Sequence, residues 1–230
     1  MTSEIIIREA RPEDYSSFRR MEKIIWEGTG VDIIEEEMFL TWIDIFPEGF
    51  VLAMRDNEVL GQLYGQICNF NPYDKNDQRD LNTMTDDMWT KKTHNPSGNC
   101  CYTFSVTGLQ AKAVKLLNEY YVGLTHKLNK QFYSGVVRMP GLDIYMKREG
   151  LKKLTLNNVS NYVKAVFDTV RRRRKGEEKI FDPVVTPILF ISVKNAGEPW
   201  AIEKFFPFPG TQSWGCVLWY ENIDYKNNQI

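Results

Sequence analysis

Histidine is the only side chain that titrates near neutrality without help, and the 230 residues contain two, His94 and His126. His94 lies in the turn Thr93-His94-Asn95-Pro96 and is a candidate general base. His126 follows Val122 by one helical turn and reads as packing. Ser105, in Tyr102-Thr103-Phe104-Ser105-Val106, is a second catalytic candidate: its hydroxyl either orders a water or serves as a cross-strand hydrogen-bonding group. The four cysteines, Cys68, Cys100, Cys101 and Cys216, include no Cys-x-x-Cys, and with so few histidines they supply no zinc-ligand spacing, so no metal is expected. Cys100 and Cys101 are neighbours on a strand-like run and point to opposite faces. Neither has a histidine partner within reach of the sequence pattern, and both read as buried, inert thiols.

One segment is built for an anion. In Phe104-Ser105-Val106-Thr107-Gly108-Leu109 a strand ends, and Gln110-Ala111-Lys112-Ala113-Val114-Lys115 opens a helix. The first backbone N–H groups of a helix lack acceptors and sit at the positive end of its dipole, which suits a phosphate. Lys112 and Lys115 are either partners for that phosphate or part of a solvated face. Such a site has to be local, because Lys plus Arg total 29 against 30 for Asp plus Glu, a net charge of −1. A chain this neutral has no global field for nucleic acid or an anionic membrane, and neither is expected as a partner.

These residues are positioned by a regular succession of elements. Ile5 to Ile7 form a short strand. Arg11-Pro12-Glu13-Asp14 opens a helix that runs to about Trp26, with Phe18, Met21, Ile24 and Ile25 at helical spacing. A second helix extends from about Ile33 to Phe46, stopped by Pro47 and Gly49. Phe50 to Met54 and Val59 to Ile67 flank Asp56-Asn57 as a hairpin. Residues 69 to 100 are polar and rich in turn formers, and read as a long insertion over that hairpin. Cys101 to Val106 is a strand, Gln110 to Leu128 a helix and Phe132 to Val137 a strand, the signature of a crossover between two parallel neighbours. A helix from about Leu156 to Arg174 ends in the basic run Arg171 to Lys175, read as a solvated helix end. The apolar stretch PILFISVKNAG and two final strands, Trp200 to Phe206 and Trp214 to Glu221, complete the chain.

The composition excludes a disordered or fibrous protein: 43% of residues are hydrophobic and 13% aromatic. No run reaches the roughly 18 apolar residues of a membrane span, and the acidic start lacks the pattern of a secretion signal, so a reducing cytoplasm is the expected compartment. One domain over 1–230 is expected, with insertions near 68–100 and 140–180. The aromatic surplus is core material first. Trp26, Phe39 and Trp42, on the first two helices, are the subset that could also wall a pocket.

The order of strand, two helices, hairpin, strand-helix-strand and two closing strands resembles the GNAT acetyltransferase superfamily. The helix opening at Gln110 is similar to that family's acyl-CoA motif, Gln/Arg-x-x-Gly-x-Gly/Ala, with Ala113 and Lys115 in the two glycine positions. THNPSGNCCY at Thr93 to Tyr102, the GVVRMPG run at Gly135 to Gly141, Asp182-Pro183 and SWGCVLWYEN at Ser213 to Asn222 resemble, in order, the GNAT domain that some bacteria fuse to a nitrilase-like hydrolase. The resemblance implies an α+β fold with a central, mixed and mostly antiparallel sheet of about six or seven strands, splayed between strands 4 and 5 and flanked by helices. It implies acetyl-CoA or another acyl-CoA as co-substrate, held by Phe104, Ser105, Val106 and Gln110 to Lys115. Trp26, Phe39 and Trp42 would border the pocket of a small-molecule amine or carrier-bound acceptor. The family often places a carboxylate on the strand before the CoA loop and a tyrosine on a late helix. Here that strand has no carboxylate and Leu189 to Val193 has no tyrosine. Three activities are compatible with this: N-acyl transfer, a binding or regulatory module without transfer chemistry, and decarboxylation of a malonyl-type CoA thioester, as in GNAT-like domains that start polyketide chains.

Overall fold

The computed structural model describes residues 3–74, 79–139, 141–153, 155–176, 201–207 and 214–226. These form one seven-stranded sheet in the order β1-β2-β3-β4-β5-β7-β6. The elements are β1 (Ile6–Glu9), α1 (Tyr15–Trp26), α2 (Glu36–Ile45), β2 (Phe50–Arg55), β3 (Glu58–Cys68), α3 (Leu81–Thr85), β4 (Cys100–Gly108), α4 (Ala111–Lys127), β5 (Phe132–Arg138), α5 (Leu142–Arg148), α6 (Leu156–Arg174), β6 (Ala201–Pro207) and β7 (Trp214–Glu221).

Local chemistry sets the helix boundaries. Pro12–Asp14 form a single 3-10 turn before α1, and the Asp14 carboxylate accepts from the Arg11 N–H at 2.8 Å and from both Arg8 terminal nitrogens at 2.7 and 2.6 Å. The α1 helix therefore starts at Tyr15, where backbone and guanidinium hold its entry. The α2 helix starts at Glu36, later than the expected Ile33, because Glu35 keeps an extended backbone and Ile34 is buried in the loop before it. Within 69–100 lies the short α3, capped by the Asp80 carboxylate on the Thr83 N–H at 2.8 Å. The α5 helix was not legible in the sequence; its seven residues follow the Pro140-Gly141 stop signal directly. PILFISVKNAG and Asp182-Pro183 lie outside the described residues.

All neighbouring strands are antiparallel except β4 and β5, the parallel pair expected of the crossover. Their pairing stops early. Cys100 to Thr103 face Phe132 to Gly135, and then β4 continues to Gly108 and β5 to Arg138 without contact in the ladder. Each strand keeps its outer partner along the rest of its length, β3 for β4 and β7 for β5, so the two are held apart. A bulge at Phe104 starts the divergence, since Tyr64 faces Ser105 while the next residue, Gly65, faces Thr103. Gly135 closes the paired part: a Cβ there would collide with Thr103 Oγ1. The sheet is thus open at its centre, as the resemblance implies.

Helices cover both faces. Phe18, Phe39, Trp42, Phe50, Tyr64 and Phe104 pack in the core under α1 and α2, while Leu63, Cys101, Ala113, Leu117 and Tyr121 pack under α4. Cys100 belongs to the first core and Cys101 to the second, as the strand period requires. Burial raises the pKa of both thiols, which keeps them protonated. Among the described residues, no helix is long and apolar enough to cross a membrane.

Candidate active site

Where β4 and β5 part, the space between them becomes a cavity of about 340 Å³. On one face it reaches Glu22 and Trp26 of α1, Gly30 to Asp32 of the α1–α2 loop, and Asp87 and Met88 after α3. On the other it reaches Asn118 of α4 and Tyr133 of β5, which packs with the α4-side core. Its long walls are Thr103 to Thr107 and Gly135 to Val137, and β7 contributes Leu218 to Tyr220. The cavity therefore runs through the sheet, between its two faces.

Glu22 is the main titratable group in this cavity. It is 2% exposed, and its carboxylate accepts from Trp26 Nε1 at 3.3 Å. Burial pushes its pKa up to about 7, against smaller downward pulls from the Trp26 bond and the Ile34 backbone N–H. A carboxyl with that affinity exchanges a proton near neutrality, as a general base must. Asp32 and Asp87, both exposed, line the same end. Among the described lining residues there is no Lys, Arg or His.

The opposite end is neutral and polar. Tyr133 donates its hydroxyl proton to Asn118 Oδ1 at 3.1 Å, and Asn118 Nδ2 donates to the Val114 carbonyl one helical turn back at 2.8 Å. That second bond fixes the orientation of the amide, so its oxygen faces the tyrosine. Burial raises the pKa of Tyr133 and of its neighbour Tyr220, so both stay protonated.

The loop after α3 has an unusual backbone. Asp86, Asp87, Met88 and Thr90 all have φ between 52° and 71°. Left-handed backbone costs about 1 kcal/mol or more at a non-glycine residue and needs surrounding contacts to hold it. Those contacts are present. Thr85 Oγ1 accepts from the Met88 N–H at 3.0 Å, Trp42 Nε1 donates to the Met88 carbonyl at 2.7 Å, and the Tyr64 and Thr90 hydroxyls share a hydrogen bond of 2.8 Å.

The residues singled out from the sequence fall into four groups. Phe104, Ser105, Val106 and Trp26 line the cavity. Phe39 and Trp42 are fully buried behind it; Phe39 packs edge-on against Phe50, and Trp42 stacks on Tyr64 with centroids 4.2 Å apart and holds the Met88 loop. His94 is not among the residues that line the cavity. Its ring lies 5.0 Å from that of Phe46, its Nδ1 accepts the Ile67 N–H at 3.3 Å, and burial together with Lys130 lowers its pKa.

The segment 110–115 opens α4 as expected. Gln110 is the residue before the first turn, and its side chain does not cap the helix but accepts from Arg55 at 3.2 Å. The first helical N–H to find a backbone acceptor is that of Val114, on the Gln110 carbonyl at 3.2 Å, so those of Ala111, Lys112 and Ala113 point out of the helix end. Ala111 and Lys112 are exposed there. Ala113 and Val114 turn inward; the Ala113 methyl is fully buried in the α4-side core and does not obstruct the helix end. Lys115 pairs along the helix with Glu119 at 3.2 Å. Among the described residues no group of acids, histidines or cysteines could hold a metal.

Glu22, Asn118 and Tyr133 were missed in the sequence. The signal for two of them was available: Glu22 falls on the apolar stripe Phe18, Met21, Ile25 of α1, and Asn118 on the stripe Val114, Leu117, Tyr121 of α4. A polar residue at a stripe position is buried, and a buried carboxyl is a candidate for function.

A mixed sheet whose two central parallel strands part to open a cavity between helical layers is the GNAT fold. Solved structures with the same architecture include the loading GNATL domain of CurA from Lyngbya majuscula, 15% identical, with a TM-score of 0.64 over 95% of this chain and 98% of that one. The GphF GNAT-like decarboxylase in complex with isobutyryl-CoA matches equally well, at 16% identity and TM-score 0.64 over 94% and 98% of the two chains. Ard1 from Thermoplasma volcanium matches at 12% identity and TM-score 0.50 over 95% and 98%. No protein-family model matches the sequence, and no curated protein sequence does.

Proposed function

We propose that the protein is an acyl-CoA-dependent N-acyltransferase, in which the thioester lies in the β4/β5 splay and an amine arrives from the α1–α2 face. The observation that carries this is the through-sheet cavity with Glu22, held near neutral pKa, at its acidic end. The acyl-CoA donor is supported by GphF, a protein of the same fold with isobutyryl-CoA bound. The pyrophosphate would meet the N–H groups of Ala111 to Ala113 with Lys112 beside them, and Trp26 would wall the acceptor pocket. Asp32 and Asp87 favour a protonated amine at the mouth. Glu22 takes the ammonium proton, the freed nitrogen attacks the thioester carbonyl carbon, the C–N bond forms, the C–S bond breaks, and the second proton shed by the nitrogen passes to the departing thiolate, which leaves as CoA thiol. The resemblance to GNAT domains joined to nitrilase-like hydrolases, a cytoplasmic setting and a single domain with two insertions belong to the same proposal.

A second reading, decarboxylation of a malonyl-type thioester, is favoured by the match to GphF over almost the whole of both chains. Charge opposes it. A malonyl carboxylate would enter a cavity lined by three acids, with no cation among the described lining residues.

Calorimetric titration with acetyl-CoA and with CoA, followed by mass spectrometry of incubations with acetyl-CoA plus a primary diamine and with malonyl-CoA alone, separates these outcomes. Binding and N-acetylated diamine are expected. Conversion of malonyl-CoA to acetyl-CoA without amine acylation would overturn the transferase reading, and no binding at millimolar ligand would overturn both.

A further inference from the structure

We propose that Gln62 is a positioning residue, which fixes the Ser105 hydroxyl as a hydrogen-bond donor directed into the β4/β5 splay. The inference rests on the acyl-transfer reading and adds to it a specific partner for the thioester carbonyl.

Gln62 lies on β3 and is 1% exposed. Its register partner on β4 is Thr107, and it reaches diagonally to Ser105, two residues along on the same strand. Gln62 Nε2 donates to Ser105 Oγ at 2.7 Å. A serine hydroxyl has one proton and two lone pairs. With a lone pair committed to the amide, the proton is left for another acceptor, and among the described residues Ser105 has none. Ser105 is partly exposed, and the space it meets is the cavity. The hydroxyl is therefore a donor waiting for an acceptor that enters the splay.

Gln62 itself shows the cost of this arrangement. Its Oε1 is buried and has no hydrogen-bond partner among the described residues. Turning the amide over would let that oxygen accept the Ser105 proton, but would leave a buried NH2 group with no acceptor. An under-satisfied carbonyl is the more tolerable of the two, so the amide holds the orientation that directs the serine proton outward. A polar side chain kept in a sheet interior with one atom unpaired contributes little to stability and is explained by what it orients. The acceptor that fits is the carbonyl oxygen of a thioester, which gains negative charge as the amine adds.

Isotope-edited infrared spectroscopy of acetyl-CoA carrying 13C at the thioester carbonyl tests this without an acceptor amine. On binding to the native protein, the carbonyl band is expected to move to lower frequency. Ser105→Ala should return it towards its position in solution and Ser105→Thr should restore the shift. Gln62→Met should weaken and broaden the shifted band, and Gln62→Glu, which turns the serine proton inward, should behave as Ser105→Ala. In a Ser105→Ala background, Gln62→Met should have no further effect on the band, whereas a purely structural role would add to it. With a diamine acceptor, kcat should fall roughly 10- to 100-fold in Ser105→Ala with little change in KM for acetyl-CoA. If acetyl-CoA binds and its carbonyl band is the same in native protein and Ser105→Ala, the inference is overturned. If Ser105→Ala removes the shift while Gln62→Met and Gln62→Glu both keep it sharp, the positioning role is overturned. Failure of acetyl-CoA to bind at all would instead overturn the acyl-transfer reading.

Discussion

Changing Glu22 to glutamine removes one ionisation while keeping the shape and the Trp26 hydrogen bond. Burial raises the Glu22 pKa from the ordinary 4.5 to about 7. Between those two values the folded protein keeps a proton that the unfolded chain has released. Stability from this group is thus fully present below pH 4.5 and is lost as pH rises through 7. At about 1.36 kcal/mol per pH unit, the gap corresponds to about 3 kcal/mol, most of which falls between pH 5 and pH 8. Urea unfolding at those two pH values measures it. Native protein should lose about 2–3 kcal/mol more than Glu22→Gln on going from pH 5 to pH 8, with the m-value unchanged. The two proteins share every other titrating group, so their difference isolates Glu22. The same ionisation should appear in catalysis as a rise of kcat/KM with pH through about 7, and Glu22→Gln should lower the plateau about 100-fold or more. Parallel stability profiles in the two proteins would refute the burial of a neutral carboxyl at this position. An unchanged pH–rate profile in the variant would refute Glu22 as the base.

Lys112→Glu places an acid at the exposed opening of α4; CoA affinity should fall roughly tenfold, while affinity for acetyl-pantetheine, which lacks the pyrophosphate, should not change in a paired calorimetric titration. Trp42→Phe keeps the stacking on Tyr64 but removes the donor to the Met88 carbonyl, and should destabilise by about 1–3 kcal/mol in urea melts and raise the KM for the amine by loosening the left-handed loop. Gly65→Ala would set a Cβ 2.5 Å from both the Tyr102 carbonyl oxygen and Tyr121 Oη, and should lower stability by about 1–3 kcal/mol or more, read as a fall in Tm.

Much of the scaffold was legible because each element carries its own period. The sequence-based limits of the β7 strand, Trp214 to Glu221, and of α6, Leu156 to Arg174, agree with the structure to the residue. The parallel β4–α4–β5 unit followed from strand, helix and strand in a row, and the open sheet from the resemblance it carries. What stayed hidden was either short or tertiary. The α5 helix has too few residues to show a period. Chain position puts Trp42 beside Trp26 on the first two helices, yet of the two only Trp26 meets the cavity; α2 turns Trp42 towards the sheet, where it holds the loop that forms the cavity rim. His94 is a candidate by its chemistry alone, and in the structure it packs beside Phe46 and accepts the Ile67 N–H of β3.

Three polar residues at or beside the cavity share one property. Glu22, Asn118 and Gln62 are unremarkable by type, and none belongs to a recognisable catalytic pattern. Each occupies a position where periodicity calls for an apolar side chain: Glu22 on the stripe of α1, Asn118 on that of α4, and Gln62 two residues before buried Tyr64 on β3. Burying a polar group costs free energy unless it is paired, so a polar residue in a core position has to be held by specific partners. Here the partners are Trp26 for Glu22, the Val114 carbonyl and Tyr133 for Asn118, and Ser105 for Gln62. Trp26, Tyr133 and Ser105 all line the same cavity. Three elements that contribute to two different cores thus each break their pattern at a residue that lines one splay or bonds a side chain that does. Packing alone would fill these positions with leucine or valine; on the proposed reading, the proton-exchanging carboxyl, the fixed amide and the oriented hydroxyl are what the splay gains in return for that lost packing.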